Sequence, residues 1–275
     1  MPKLRDAELV LSLQPGSASF KILRLDGMTH QTGGPTKPMM LSALLNWSDQ
    51  LVDLSISLPH RSWEPRVYGA TGRRPIDYQN CLLSRNDSLV RLDIQDVNTF
   101  NWGLGDFCLD SFRCLVSLRL STTFTKTATN HVANLLGPML QEFRWNVVSD
   151  ELWGFQRPEE RWIRALATAA AERGSRLKKI HVEYSPHGLG WGGSDGHDSD
   201  SEFLYPWDRL ERLALELLAL GIRLTYTSPT RTRLQLQHMR EMRHEELADL
   251  RQYYVSDGVC GLTAPLPDEG SDDDL

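Results

Sequence analysis

No run of eighteen consecutive apolar residues occurs anywhere in this chain of 275 residues, so no helix is expected to span a membrane and no membrane partner is expected. The opening stretch MPKLRDAELVLSLQPGS is broken by charges, and its apolar part is too short for a secretory signal. Basic residues are not in excess. Lys and Arg number 30 against 36 Asp and Glu, a formal net charge of -6. A nucleic-acid partner is therefore not expected, because that role needs clustered Lys and Arg. Cysteine is scarce. Cys81, Cys108, Cys114 and Cys260 form no CxxC pair and no regular framework. At this chain length they read as reduced, mostly buried thiols of an intracellular protein, cytoplasmic or nuclear.

Catalytic signatures are also missing. There is no HExxH pair and no P-loop lysine. The eight histidines are scattered, without a serine or cysteine beside them in a usable pattern. The run from Gly188 to Gly193 (GLGWGG) does fit GxGxxG. A dinucleotide site further requires a helix to begin at that loop, so that its first amides meet the pyrophosphate. Here the chain continues SDGHDSDSE, whose carboxylates would repel phosphate. Asp195, Asp198, Asp200 and Glu202 suit a hard cation, but no register from one of these aspartates puts Gly sixth and Glu twelfth as an EF-hand loop needs. The residues thus predict a non-catalytic chain with no cofactor and no metal. An α/β enzyme or nucleotide binder using residues 188–193 is the alternative.

What the chain does contain is a recurring phrase with apolar residues at its first, fourth and sixth positions. It reads FKILRL from Phe20, LVDLSI from Leu51, LVRLDI from Leu89 and LVSLRL from Leu115. Looser copies are LQEFRW from Leu140 and LKKIHV from Leu177, and IRLTYT from Ile222 closes the series. Counted between the first residues of the six phrases, the separations run from 25 to 38 residues. Apolar residues two apart, such as Leu54 with Ile56 or Leu118 with Leu120, share one face of a strand. Helical stretches lie between: MMLSALLNW from Met39, HVANLLGPM from His131, and EERWIRALATAAAER from Glu159. In the last, Trp162, Ile163, Leu166, Ala167 and Ala170 make an apolar stripe, while Glu159, Arg161 and Arg164 face water. Pro158 and Gly174 bracket that helix. Pro206 opens another, with Leu210, Leu213, Leu217 and Leu218 as its stripe and Gly221 as its cap.

Strand, helix and parallel strand in repeated alternation describe an α/β fold, an irregular leucine-rich-repeat-like solenoid whose units must stack to cover their apolar sides. A doubly wound sheet shares the alternation, but its strands are buried on both faces and read as unbroken apolar runs. Here a polar residue separates the apolar ones, so one sheet face is open. The solenoid is expected over residues 1–228, a charged C-terminal helix over 229–255, and an acidic tail without fixed structure over 256–275. Leu236, Met239, Met242, Leu250 and Tyr254 are the docking residues of that helix. Residues 60–80 and 185–202 read as irregular insertions rich in Gly, Pro, Ser and charge.

If the apolar residues of each phrase point inward, the residue between them points outward. That rule lines up Arg24, Ser55, Asp93, Arg119, Arg144 and His181 along the open, concave face as protein-binding candidates. Asp26, Ser57, Gln95, Ser121, Asn146 and Glu183 follow as a second row. Arginine is enriched among residues that anchor protein interfaces. Trp145 takes an inward position and is expected in the core. Trp63, Trp102 and Trp191 fall in loop-like segments and are candidate anchors if exposed.

The phrases LVDLSI, LVRLDI, LVSLRL and LKKIHV, with helices between them, resemble the leucine-rich-repeat part of fungal F-box proteins over about residues 7–227. The resemblance implies a substrate-recognition arm of an F-box type ubiquitin ligase. In that family a separate F-box binds the Skp adaptor and the repeats hold the substrate protein. No LPxEI-like F-box opening is seen before Phe20, so ubiquitin-ligase components are implied as partners only where an F-box is supplied elsewhere. The Asn of the longer consensus LxxLxLxxNxL is replaced by Met28, Pro59, Val97, Thr123 and Val148. The bound protein itself is not named by the sequence.

Overall fold

A computed structural model of the chain describes residues 10, 12–26, 36–57, 78–95, 107–125, 129–147, 155, 157–184, 205–238, 241, 242 and 245. Its strands are β1 (Ile22–Asp26), β2 (Asp53–Ser57), β3 (Arg91–Gln95), β4 (Ser117–Ser121), β5 (Glu142–Val147), β6 (Lys179–Tyr184) and β7 (Arg223–Tyr226). Helices α1 (Thr36–Trp47), α2 (Tyr78–Leu83), α3 (Thr122–Thr125), α4 (Arg157–Glu172) and α5 (Pro206–Ala219) lie between them. The seven strands form one open, all-parallel sheet in the order β1-β2-β3-β4-β5-β6-β7, so spatial order equals chain order and never reverses.

The apolar spacing of the phrases becomes two rows across the sheet. Leu23, Leu54, Leu92, Leu118, Phe143, Ile180 and Leu224 are register partners in succession. So are Leu25, Ile56, Ile94, Leu120, Trp145, Val182 and Tyr226. The leading residues Leu51, Leu89, Leu115, Leu140 and Leu177 turn into the same core. Into it α1 sends Leu41, Leu44 and Leu45, α4 its Trp162 stripe, and α5 Leu210, Leu213 and Leu217. At roughly 25 cal/mol per Å² of apolar surface removed from water, this continuous layer is the main favourable contribution to folding.

A backbone device repeats with the strands. The carbonyls of Lys21, Val52, Val90, Val116 and Gln141 each accept two successive amides of the following unit, at 2.8 to 3.1 Å. Val52 and Asp53 donate to Lys21, Val90 and Arg91 to Val52, and the pattern continues to Lys178 and Lys179 on Gln141. Each unit thereby sets the start of the next strand, which keeps the side-chain rows in register although the segments between strands differ in length.

Both expected glycine caps are present. Gly174 has φ +59° and Gly221 φ +76°. After α4, Ser175 N–H donates to Ala170 O at 2.9 Å and Gly174 N–H to Ala171 O at 3.1 Å. Ile222 and Gly221 repeat this on Leu217 and Leu218 after α5. It is the double bond that a left-handed residue permits at a helix end.

Three expectations are corrected. The segment His131 to Met139 is not a helix but a single 3-10 turn, Val132–Leu135. Gly137 lies so close to Leu109 that a Cβ there would meet Leu109 O at 3.0 Å, and Pro138 cannot donate a helical hydrogen bond. Leu218 leaves the α5 stripe and is 62% exposed, since it is turned about 100° from buried Leu217. The cysteines are not uniformly buried: Cys81 is buried, Cys108 intermediate and Cys114 exposed, none of the three in a disulfide. The irregular reading of 60–80 ends within α2, which begins at Tyr78. Of the expected C-terminal helix, residues 233–238 are helical, Leu236 is buried and Met242 is exposed. Met239, Leu250, Tyr254, Cys260 and the acidic tail lie outside the described residues.

Candidate interaction face

Alternation along the strands sends the remaining residues to the other side of the sheet. Arg24, Ser55, Asp93, Arg119, Arg144 and His181 form one unbroken row of register partners, with Thr225 on β7 as a seventh member. Arg24 is exposed, and the five that follow are half-buried. In the second row Ser57, Gln95, Asn146 and Glu183 are half-buried. Ser121 departs from the expectation and is fully buried.

A further row was missed by the sequence reading. Asp53, Arg91, Ser117, Glu142, Lys179 and Arg223 are register partners two positions before the first row. The period of two that located the other rows also covers these positions. They were passed over because they precede the fourth residue of the phrase.

The face is held together by its own charges. Arg119 lies at the centre, its Nη1 donating to Asp93 Oδ2 at 3.2 Å and its Nε to Glu183 Oε2 at 3.0 Å. Gln95 Nε2 donates to Asp93 Oδ2 at 2.9 Å. The other oxygen, Asp93 Oδ1, is buried without a hydrogen-bond partner. Burial pushes the Asp93 carboxyl above its ordinary range, and the bonds from Gln95 and Arg119 only partly offset this. A second group lies toward β7. Glu142 Oε1 accepts from Lys179 Nζ at 2.9 Å and Arg144 Nε at 3.2 Å. Burial opposes the Glu142 charge, but these two cations outweigh it and hold the carboxyl below its usual range.

His181 Nδ1 and Thr225 Oγ1 are 2.8 Å apart. Burial, joined by the nearby Arg144 and Lys179 charges, lowers the imidazole pKa from its ordinary value and so favours the neutral ring. A base poised for catalysis needs an oriented partner that steadies its charged form. The contact of this ring is a hydroxyl, and the nearby Glu183 and Glu142 carboxylates act against the lowering. The arrangement offers fixed hydrogen-bonding groups of both signs over several strands, which suits polar contact with a partner surface.

Among the described residues there is no group of three or more His, Cys, Asp or Glu that could hold a metal ion. The loop 188–193, the acidic residues at 195–202 and Trp63, Trp102 and Trp191 lie outside the described residues. Trp145 is in the core, its ring stacked on Trp162 at 4.4 Å and its Nε1 donating to Thr125 Oγ1 at 2.9 Å. No described helix is long and apolar enough to cross a membrane. The chain matches no family model, no curated protein and no solved structure.

Proposed function

We propose that this chain is a non-catalytic protein-recognition scaffold, a leucine-rich-repeat-like solenoid whose open sheet face holds a partner protein. The observation that carries the reading is the unbroken polar row from Arg24 to Thr225, aligned across all seven strands. Sequential strand order and the repeated two-amide carbonyls support the solenoid, because each unit contacts its neighbours through one recurring geometry. A doubly wound nucleotide-binding sheet places its ligand where strand order reverses, and this sheet has no reversal. The role as substrate arm of a ubiquitin ligase, inside the cell and with an F-box supplied elsewhere, rests on the phrase resemblance alone.

The test is affinity capture from a cell extract with mass spectrometry, beside the variants Arg144→Glu and Arg24→Glu. Both side chains are partly or fully exposed, so folding is expected to survive, as circular dichroism would check. Retention of one specific protein by the native chain, lost in either folded variant, supports the reading. Identical background in all three sinks it. Recovery of a Skp adaptor or cullin together with that protein supports the ligase role.

A further inference from the structure

Charge is unevenly distributed over the open face. At the corner formed by β5, β6 and β7, three cations stand with two described carboxylates, Glu142 among them and Glu183 turned to Arg119. Glu142, Lys179 and Arg223 are register partners in one row, with Arg144, His181 and Thr225 in the next. Glu142 Oε1 is shared between Arg144 and Lys179. Arg223 is exposed and has no carboxylate partner among the described residues. Two negative charges against three positive leave one positive charge in excess, and the Glu183 carboxylate is directed at Arg119. Arg144 and Lys179 remain 44% and 42% exposed although bonded to Glu142. A guanidinium has five N–H donors and an ammonium three, so most of their donors stay available. The neighbouring group has the opposite balance, since Asp93 and Glu183 share the single cation Arg119.

We infer that the β5–β7 corner receives an acidic, extended segment of a partner protein, whose carboxylates sit among Arg144, Lys179 and Arg223. This rests on the reading of the open face as a recognition surface and supplies the chemistry of what that surface takes. A basic segment would meet an excess of positive charge and be repelled. Among the described residues β7 is the last strand of the sheet, so the corner stands at its edge. Carboxylates pair with guanidinium groups in two-pronged geometry, which favours them where Arg144 and Arg223 flank the site. The chain as a whole carries -6 and repels polyanions at long range, so any binding of one must be local.

The probe is a fluorescein-labelled glutamate homopeptide of about ten residues, which spans about 33 Å when extended. Its anisotropy is followed on the full chain in about 0.01 M and about 1 M salt. Saturable binding at low salt is expected, weakened about tenfold or more at high salt. Lys179→Glu with Arg223→Glu should lose about tenfold or more, while Arg161→Glu, on the water-facing side of α4, should stay within about twofold. Lys179→Gln with Arg223→Gln, checked for folding by circular dichroism, should show an intermediate loss. Absence of saturable binding, or equal binding by the double Glu variant, overturns the inference. Tighter binding of an oligothymidine of matched charge reassigns the corner to nucleic acid and overturns it as well. About tenfold tighter peptide binding by Asp272→Asn with Asp273→Asn and Asp274→Asn would make the chain's own acidic segment the occupant, against a partner. If extract capture succeeds but the peptide does not bind, the inference falls and the recognition reading stands. If the peptide binds and capture finds nothing, the recognition reading falls and the corner remains an acid-binding site.

Discussion

Arg119 on β4 reaches over β5 to Glu183 on β6: its Nε is 3.0 Å from Glu183 Oε2, and Nη2 bonds the same oxygen. With Nη1 on Asp93 of β3, one guanidinium joins three strands of the sheet. Arg144 and Asn146 of β5 lie beneath this reach as register partners of Arg119 and Ser121. The contact organises the face on which recognition is proposed.

Removing Arg119 would leave Asp93 and Glu183 half-buried without their shared cation. Arg119→Met is expected to cost about 2 kcal/mol, the scale of a charged hydrogen-bonded contact. Arg119→Met combined with Glu183→Gln should cost less than the two single changes added together. Urea unfolding of the four proteins measures that coupling.

Glu142 and Asp93 should answer pH with opposite sign. The folded pKa of Glu142 lies below its ordinary 4.5, so its stabilising contribution is full above that value and is lost as pH falls through the folded pKa. The folded pKa of Asp93 lies above its ordinary 3.8, so its contribution is full below that value and is lost as pH rises through the folded pKa. Carboxyl carbon shifts followed by NMR should place the Asp93 midpoint above its ordinary 3.8 and the Glu142 midpoint below its ordinary 4.5. A shift of either carboxyl in the opposite direction would contradict the packing described here.

Glu160 and Arg209 form a buried pair between α4 and α5, Oε2 to Nη1 3.3 Å, with both residues under a tenth exposed. Arg164 also reaches Glu160, at 2.9 Å. Arg209→Met is expected to cost about 3 kcal/mol, because it strips one cation from a buried carboxylate. Adding Glu160→Leu should recover much of the loss, since an apolar pair avoids desolvating charge. Calorimetric melting of single and double variants decides this.

Trp145→Leu would remove the stack on Trp162 and the bond to Thr125, at a cost of about 3 kcal/mol. Thr125→Val keeps the volume but orphans the buried indole N–H, for about 1 to 3 kcal/mol. Near-ultraviolet circular dichroism during denaturation reads both.

Gly137→Ala should destabilise by about 1 to 3 kcal/mol, because the added methyl meets backbone at Leu109 rather than a yielding side chain. Gly16→Ala, where a Cβ has open space but φ is +70°, should cost less, about 1 kcal/mol. Paired thermal melts separate contact from conformation.

Most of the strands were legible because their signal is local. Leu54 and Ile56, or Leu118 and Leu120, carry a period of two that burial on one face requires. The helix from Glu159 was legible from its stripe and from Gly174. The segment at 131–139 misled because its apolar residues suit a helix, while close approach to Leu109, distant in sequence, allows only one turn. Leu218 misled because a run of leucines hides which of them lies on the buried arc.

The sequence by itself determined the parallel strand order's building blocks, their inward residues and the outward row from Arg24 to His181, since alternation follows from backbone geometry. Only the tertiary structure decided which outward charges meet. Arg119 finds Glu183 two strands away, Glu142 is shared by Arg144 and Lys179, and Glu160 is buried with Arg209. Those pairings depend on register and on separations of 26 to 64 residues in most cases, which no local pattern encodes.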